Sequence, residues 1–132
     1  MRLLGIDNVL LSVGQLDSAI AHYAEGLGFA LKFRMDAKGI AILAIGEETP
    51  GLVLREERER KSVTDPFAPR LWVEVADAKE KAQALESGGI TLLSPPFMAG
   101  TGWVVEVADE WGNVVGFTDY SVRPELGRKN RA

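Results

Sequence analysis

The chain has 132 residues, about the length of one ordinary domain. Its 15 Lys and Arg residues against 19 Asp and Glu residues give a net charge of -4, which argues against nucleic acid as the main partner. A hydrophobic fraction of 46% excludes a disordered chain. The absence of cysteine excludes disulfides, thiol nucleophiles and cysteine-bound metals.

The sequence shows no signal for a membrane or for secretion. No apolar run approaches the roughly 20 residues that span a bilayer. Asp7 and Asn8 interrupt the N-terminal apolar stretch before it reaches the length of a signal-peptide core. We therefore expect a cytoplasmic protein without a membrane partner.

The first half of the chain predicts one strand, one helix and then three strands. The Val, Ile and Leu content of residues 4–13 indicates the first strand. Four apolar residues then recur at helical spacing: Leu16, Ile20, Tyr23 and Leu27. This helix begins either with Asp17 as its cap or with residues 15–17 as its first turn, and Gly28 ends it. Strands follow over residues 29–35, 40–45 and 51–56, with turns between them.

A solvated connector separates this half from the next. Residues 57–69 begin with five charged side chains and contain two prolines, which is typical of an irregular surface segment. The pattern then restarts with a strand over residues 70–76 and a helix that Asp77 caps and that runs to Ser87. The remaining strands are predicted over residues 90–93, 103–108 and 114–119.

The two halves therefore read as an internal repeat of about 60 residues. Residues near the ends of the predicted strands and helices correspond between the halves at nearly constant distances along the sequence. The distance is 62 residues from Val13 to Val75 and 61 residues from Gly28 to Gly89. Each half has the order strand, helix, strand, strand, strand.

Three segments carry a resemblance to a known family. They are Ile-Asp-Asn-Val-Leu-Leu-Ser-Val at residues 6–13 with Asp-Ser-Ala-Ile-Ala-His-Tyr at 17–23 and Leu-Gly-Phe at 27–29, then Leu-Trp-Val-Glu-Val-Ala-Asp at 71–77, and Asp-Glu-Trp-Gly-Asn-Val-Val-Gly-Phe at 109–117. This set resembles the vicinal oxygen chelate superfamily, which holds glyoxalase I, bleomycin resistance proteins, extradiol dioxygenases and fosfomycin resistance transferases. The resemblance covers residues 4–120.

The resemblance implies an α+β fold in which two tandem βαβββ modules form curved half-barrel sheets around a cavity. Residues two apart on a strand share a face of the sheet. On the first strand, Asn8, Leu10 and Ser12 are then expected to face the cavity. On the fifth strand, the residues expected there are Arg70, Trp72 and Glu74.

Metal-dependent members of the superfamily carry His, Glu or Gln on the first strand of each module and Glu near the end of the fourth. Those positions here read Asn8, Arg70, Arg55 (or its neighbours Leu54 and Glu56) and Gly116. Arginine keeps its proton and repels a cation, and glycine offers no ligand atom. The single histidine, His22, lies off the apolar stripe of its helix. We therefore expect no metal and no other cofactor.

The predicted binding cavity combines aromatic, polar and charged walls. Its expected lining is Asn8, Leu10, Arg55, Arg70, Trp72, Glu74, Trp103 and Thr118, with Phe97 and Met98 on a loop at its mouth. Trp72 and Trp103 can stack on a planar or cationic ligand, although the strand phase leaves open whether Trp103 is core instead. Arg70 and Arg55 can hold a carboxylate or phosphate through paired hydrogen bonds.

These features favour a metal-free protein, similar to the bleomycin resistance group, that binds a small aromatic or anionic molecule and could act by antibiotic sequestration. Two alternatives stay open. One is a lyase, isomerase or dioxygenase of the same superfamily, metal-dependent or metal-independent, for which Glu74 is the weak candidate for a catalytic base. The other is a regulatory module without a ligand of its own.

We predict a single domain over residues 1–120, with modules at residues 4–56 and 70–120 and a connector at 57–69. Residues 121–132 form a basic tail with four Lys or Arg residues against one Glu, either disordered or packed on a neighbouring subunit. A homodimer is expected from the resemblance and from the sheet edges that eight strands leave uncovered.

Overall fold

A computed structural model describes residues 1–4 and 6–128, with the side chains of residues 48–50 left out of the description. Lys129 and Arg131, two of the cations of the predicted basic tail, lie outside the described residues. Within the described part, no helix is long and apolar enough to cross a bilayer.

The structure has eight strands and two α-helices in the predicted order. The strands are β1 (Asn8–Val13), β2 (Ala30–Met35), β3 (Ile40–Ile45), β4 (Glu48–Glu56), β5 (Leu71–Glu74), β6 (Phe97–Met98), β7 (Trp103–Ala108) and β8 (Val114–Thr118). The helices are α1 (Leu16–Ile20), which continues as a π-helical turn over Ala21–Gly26, and α2 (Ala78–Ser87). Short 3-10 turns occupy Asp36–Lys38 and Pro124–Leu126.

The strands form two four-stranded sheets with the same topology. The spatial order is β1-β4-β3-β2 in one sheet and β5-β8-β7-β6 in the other, and both sheets are open and uncurled. In each sheet the first strand pairs in parallel with the last strand, and the other pairs are antiparallel. The predicted α+β fold of two βαβββ modules is confirmed, while the predicted cavity stays a prediction.

The chain divides into two compact units, which do not follow the module boundaries. The first consists of residues 1–64 together with 109–113, and the second of residues 65–108 together with the chain from Val114 onward. The predicted domain over residues 1–120, its connector and its tail stay predictions.

In the first unit, α1 begins at a double cap. The side chain of Gln15 accepts a hydrogen bond from Ser18 N at 2.6 Å, so the cap is Gln15 rather than Asp17. The carboxylate of Glu56, at the end of β4, accepts another from Leu16 N at 2.8 Å. Of the predicted stripe, Leu16, Tyr23 and Leu27 are buried, whereas Ile20 is only half-buried. Ala19, which was not predicted, is buried with them, and the helix packs on the buried residues of β3 and β4: Ala41, Leu43, Leu52 and Leu54. Each fully buried leucine contributes about 2 kcal/mol to folding.

In the second unit, α2 begins and ends as its sequence predicts. Asp77 is the N-cap, and its side chain accepts from Glu80 N at 3.0 Å. Gly89 adopts a φ of 84°, a left-handed conformation that ends the helix cheaply because glycine has no Cβ. The inward residues Ala78, Ala82 and Leu85 are buried as predicted.

The predicted strand over residues 90–93 is wrong. The strand that pairs with β7 is β6, which follows the two prolines at residues 95 and 96. Of residues 90–93, Leu93 contributes one backbone bond to β7, from its amide to Glu106 O at 2.9 Å. A short apolar run of this kind looks the same in sequence whether it pairs in a ladder or packs as a loop.

The repeat is confirmed in topology, but its register drifts. The ladder pairs align Leu10 with Trp72 at an offset of 62, Val53 with Gly116 at 63, and Ile42 with Glu106 at 64. The offset changes from strand to strand because the connections between strands differ in length between the two halves.

Candidate functional site

Each sheet has one face covered by its own helix and one face that the helix leaves uncovered, here called the helix-free face. In the second sheet the ladder places nine residues on the helix-free face, since opposite partners point the same way. They are Trp72, Glu74, Phe97, Val104, Glu106, Ala108, Val114, Gly116 and Thr118. The predicted site residues Trp72, Glu74 and Thr118 are therefore brought to one face.

A buried acid that the sequence reading missed organises the centre of this face. Glu106 on β7 is 6% exposed, and its two carboxylate oxygens have different partners. Arg70 Nη1 donates to Oε1 at 2.6 Å, and Trp72 Nε1 donates to Oε2 at 2.9 Å. Hydrogen bonds to a carboxylate are about twice as strong as neutral ones, so this pair of contacts fixes both side chains.

Gly116 leaves the space that the Trp72 indole occupies next to β8. A Cβ atom at Gly116 would stand 2.6 Å from Trp72 Cδ1 and 3.3 Å from Glu106 Cγ. Any larger residue would therefore push the ring away from β8. The outcome is an indole that is held at its nitrogen and remains 45% exposed.

The positive charge of Arg70 is largely offset by the carboxylate of Glu106. The Arg70 side chain is 43% exposed, but its guanidinium faces the Glu106 carboxylate, so the pair is close to neutral. An anion on this face would meet hydrogen-bond donors with little net positive field. The geometry therefore suits a planar aromatic group better than an isolated anion.

Glu74 lies two residues beyond Trp72 on the same face, and its carboxylate is paired with Arg128. Arg128 N donates to Oε2 at 3.0 Å, and Arg128 Nη1 donates to Oε1 at 2.7 Å. The Glu74 carboxylate is therefore the acceptor of an ion pair in this structure, which does not leave it poised as the base that the sequence suggested.

Trp103 lies on the other face of the second sheet. Its ring carries the Lys79 ammonium 3.7 Å from its centroid, and Lys79 belongs to α2. The structure therefore does not bring Trp103 together with Trp72 and Arg70. Thr118, by contrast, is 8% exposed on the helix-free face, between Glu74 and Val104 in the ladder.

Three predicted site residues, Asn8, Leu10 and Arg55, belong to the helix-free face of the first sheet, which has an aliphatic centre. Leu10 is 49% exposed on this face, opposite Val53 in the ladder. Asn8 Oδ1 accepts from Gly51 N at 3.1 Å, so its amide completes the strand edge. Arg55 Nη2 forms an ion pair with Glu57 Oε1 at 2.6 Å.

The positions that the resemblance assigns to metal ligands do not fit a divalent cation. Asn8 is bonded to the backbone, Arg55 and Arg70 are cations paired with acids, and Gly116 has no side chain. The neighbouring Glu56 already caps α1. Among the described residues there is no group of three His, Asp or Glu side chains placed to hold a metal ion.

Asp119, immediately after β8, is a second buried acid that the sequence reading missed. Burial alone would raise the pKa of this carboxyl, but the Ala78 amide, the Ser121 hydroxyl and the Trp103 amide donate to it. Together they hold its pKa below the usual range. Asp119 thereby caps α2 and joins it to the start of β7.

In the first unit, burial lowers the pKa of His22, and the nearby Asp109 and Glu110 oppose this shift only in part. Burial also raises the pKa of Tyr23, together with the charge of Asp109, whose Oδ2 accepts from the Tyr23 hydroxyl at 2.8 Å. Both side chains are thus structural groups of the first unit and lie outside the predicted site.

Comparison with known proteins identifies the family. The sequence model of one protein family, the Glyoxalase/Bleomycin resistance protein/Dioxygenase superfamily, matches residues 5–117. The chain belongs to this superfamily. No curated protein matches the sequence.

Solved structures of this superfamily share the fold at low sequence identity. A superfamily member from Sphaerobacter thermophilus has 17% identity and a TM-score of 0.72, covering 89% of this chain and 98% of its own. A lactoylglutathione lyase from Agrobacterium tumefaciens has 16% identity and a TM-score of 0.70, covering 97% and 100%. The fosfomycin resistance protein FosX from Listeria monocytogenes has 12% identity and a TM-score of 0.73, covering 95% and 100%.

Proposed function

We propose that this superfamily member binds a small planar aromatic molecule on the helix-free face of its second sheet and does so without a metal ion. Trp72 supplies the stacking surface, and Arg70 supplies hydrogen bonds to a polar or anionic substituent.

The observation that carries this proposal is the Trp72 indole, which is both fixed and exposed. Glu106 holds its nitrogen and Gly116 lies beneath its ring, yet 45% of the residue is exposed. A ring that is already ordered loses little conformational entropy when a ligand stacks on it. An indole needed only for core packing would instead be covered.

The donor set supports the metal-free part of the proposal. A divalent transition metal prefers imidazole, thiolate or carboxylate ligands, whereas the relevant positions hold two arginines, an amide and a glycine. Binding without bond cleavage suffices for sequestration of a toxic molecule, and antibiotic sequestration is the use that we propose for this face. Among the structural neighbours, FosX is itself named as a fosfomycin resistance protein.

We also propose a cytoplasmic homodimer. Strands β2 and β6 are sheet-edge strands, and an edge strand presents unpaired backbone groups that can pair with another chain. Sedimentation at micromolar concentration tests the dimer, and a monomer at that concentration would contradict it.

Calorimetric titration with 2-naphthoate, a planar aromatic ring with a carboxylate, tests the proposed function. We expect Trp72→Ala to weaken binding about tenfold, since stacking contributes roughly 1 kcal/mol or more. Arg70→Met should weaken it less. Trp103→Phe is the matched control, because Trp103 lies on the opposite face, and it should bind as the wild type does.

Binding that is unaffected by Trp72→Ala would overturn the stacking role. Elemental analysis of protein purified without a chelator provides the independent check. Stoichiometric zinc, nickel, iron or manganese would favour the metal-dependent lyase or dioxygenase alternative.

A further inference from the structure

The chain covers Glu74 with its own C-terminal segment. Residues 121–128, here called the strap, follow β8 and end at Arg128. Arg128 approaches Glu74 with both a backbone amide and a guanidinium nitrogen, at 3.0 and 2.7 Å. Two oxygens of one carboxylate are thus satisfied by a single residue 54 positions away in the sequence.

The strap is held at its start by hydrogen bonds to Asp119 and Thr101 and at Arg128 by the contact with Glu74, and Pro124–Leu126 between these two points are exposed. Its root is held by Ser121, which donates to Asp119, and by the amides of Val122 and Arg123, which donate to Thr101 O at 3.1 Å each. Further along, Leu126 is 62% exposed. A segment with few buried apolar contacts opens locally at low free-energy cost.

Gly127 lets the strap approach Glu74 closely. A Cβ atom at Gly127 would lie 2.9 Å from Glu74 Oε2 and 3.1 Å from Tyr120 Cβ. The φ of Gly127 is -80°, so any residue fits the backbone conformation and only the close approach requires glycine. A larger side chain there would separate Arg128 from Glu74 without changing any charge.

The strap itself covers Glu74. With the strap in place the Glu74 side chain is 16% exposed, and Arg128 is the described residue that donates to its carboxylate. When the strap opens, the carboxylate loses both donors, and a cation that carries N–H donors can replace them. Amidinium and guanidinium groups match its two oxygens best.

We propose that Glu74 is a subsite for the cationic head of an aromatic ligand and that Arg128 is its built-in competitor. Trp72 and Glu74 lie about 7 Å apart on the same face of β5, so one ligand can stack on the indole and place its cation at the carboxylate. The strap occupies the subsite until such a ligand displaces it. This inference rests on the proposed binding of an aromatic molecule at Trp72.

A matched pair of ligands isolates the subsite. 2-Naphthamidine has the same ring system as 2-naphthoate but carries an amidinium group in place of the carboxylate. We expect Arg128→Gln to tighten 2-naphthamidine binding about tenfold, since the competitor is removed and the competent fraction rises. Gly127→Leu should have the same sign. The affinity for 2-naphthoate should change less than about twofold in both variants.

Two further variants complete the design. Arg123→Gln removes another cation of the same strap, one that pairs with Glu125 rather than Glu74, and should leave both ligands unaffected. Glu74→Gln should weaken 2-naphthamidine binding and abolish the gain from Arg128→Gln in the double variant.

Unchanged or weaker 2-naphthamidine binding in both Arg128→Gln and Gly127→Leu would overturn the proposal. Such a result would leave the proposed function intact if 2-naphthoate still bound in a manner that depends on Trp72. Loss of Trp72-dependent binding of both ligands would instead overturn the proposed function and the inference with it.

Discussion

The two modules are alike where helix meets sheet and different on the opposite face. Glu56 follows the core of β4 and accepts a hydrogen bond from the first amide of α1. Asp119 follows β8 and accepts one from Ala78, the first residue of α2. In both modules an acid at the end of the last strand (Glu56) or directly after it (Asp119) thus accepts a hydrogen bond from the first amide of the helix, where the positive end of the helix dipole favours it.

On the helix-free face, equivalent positions carry different chemistry. The first sheet has three aliphatic residues in register: Leu10, Ile42 and Val53. The second sheet has Trp72, Glu106 and Gly116 in the same places. The repeat therefore conserves the junction that makes the fold and leaves the other face open to specialisation. Function in this chain is expected where the modules diverge.

The largest expected effect comes from replacing the acids that cap the helices in the two modules. Asp119→Ala should lower the free energy of unfolding by about 3 kcal/mol, because several buried donors lose their acceptor. Glu56→Ala should cost about 1 kcal/mol, since one helix amide loses its cap. Urea denaturation measures both. Equal costs would show that the two caps are energetically equivalent.

Asp119 should also make the stability of the fold depend on pH in the acidic range. The pKa of Asp119 is lower in the folded protein than in the unfolded chain, so the unfolded chain binds the proton more readily. The free energy of unfolding therefore decreases when the pH is lowered. The contribution is present above the unfolded pKa of about 3.9 and is lost as pH falls through the lower folded pKa. Asp119→Asn should flatten this part of the stability profile below about pH 4. An unchanged slope would contradict the assignment.

A smaller effect is expected from making the second face resemble the first. Gly116→Val, which installs the residue of Val53, should destabilise by about 2 kcal/mol because the new side chain overlaps the Trp72 ring. It should also abolish stacking of 2-naphthoate. Val53→Ala is the control in the first module, with a cost of about 1 kcal/mol and no effect on that binding. Wild-type binding by Gly116→Val would show that the indole does not need its glycine.

The smallest effect concerns the Arg70–Glu106 pair. A double-mutant cycle with Arg70→Met and Glu106→Ile, the latter introducing the residue of Ile42, should give a coupling of about 1 kcal/mol. Partial exposure of Arg70 limits the value, and burial of Glu106 keeps it above that of a surface pair. Arg70→Met alone should cost more than Glu106→Ile alone, because it leaves the buried carboxylate with fewer donors. A coupling near zero would reduce the pair to a surface contact.

The sequence by itself determined the fold class and most of the elements. Hydrophobic periodicity located α2 and its cap at Asp77, and β3 and β7 have the predicted bounds. The glycines that end the two helices, Gly28 and Gly89, marked the two modules. These features are local, and a single segment of sequence contains the information that decides them. Strand alternation also placed Trp72 and Glu74 on one face, as the ladder shows.

Only the tertiary structure decided how the site residues are used. The alternation in Val-Val-Glu-Val-Ala at residues 104–108 isolates Glu106 as the single acid of its strand, but no local pattern shows that Arg70 and Trp72 reach it across β8. A one-residue error in strand phase moves a side chain to the opposite face, which is the difference between Trp103 as a ligand contact and Trp103 beneath Lys79. The contact between Arg128 and Glu74 depends on the path of the whole second unit, because residues 54 positions apart meet only after the chain has folded.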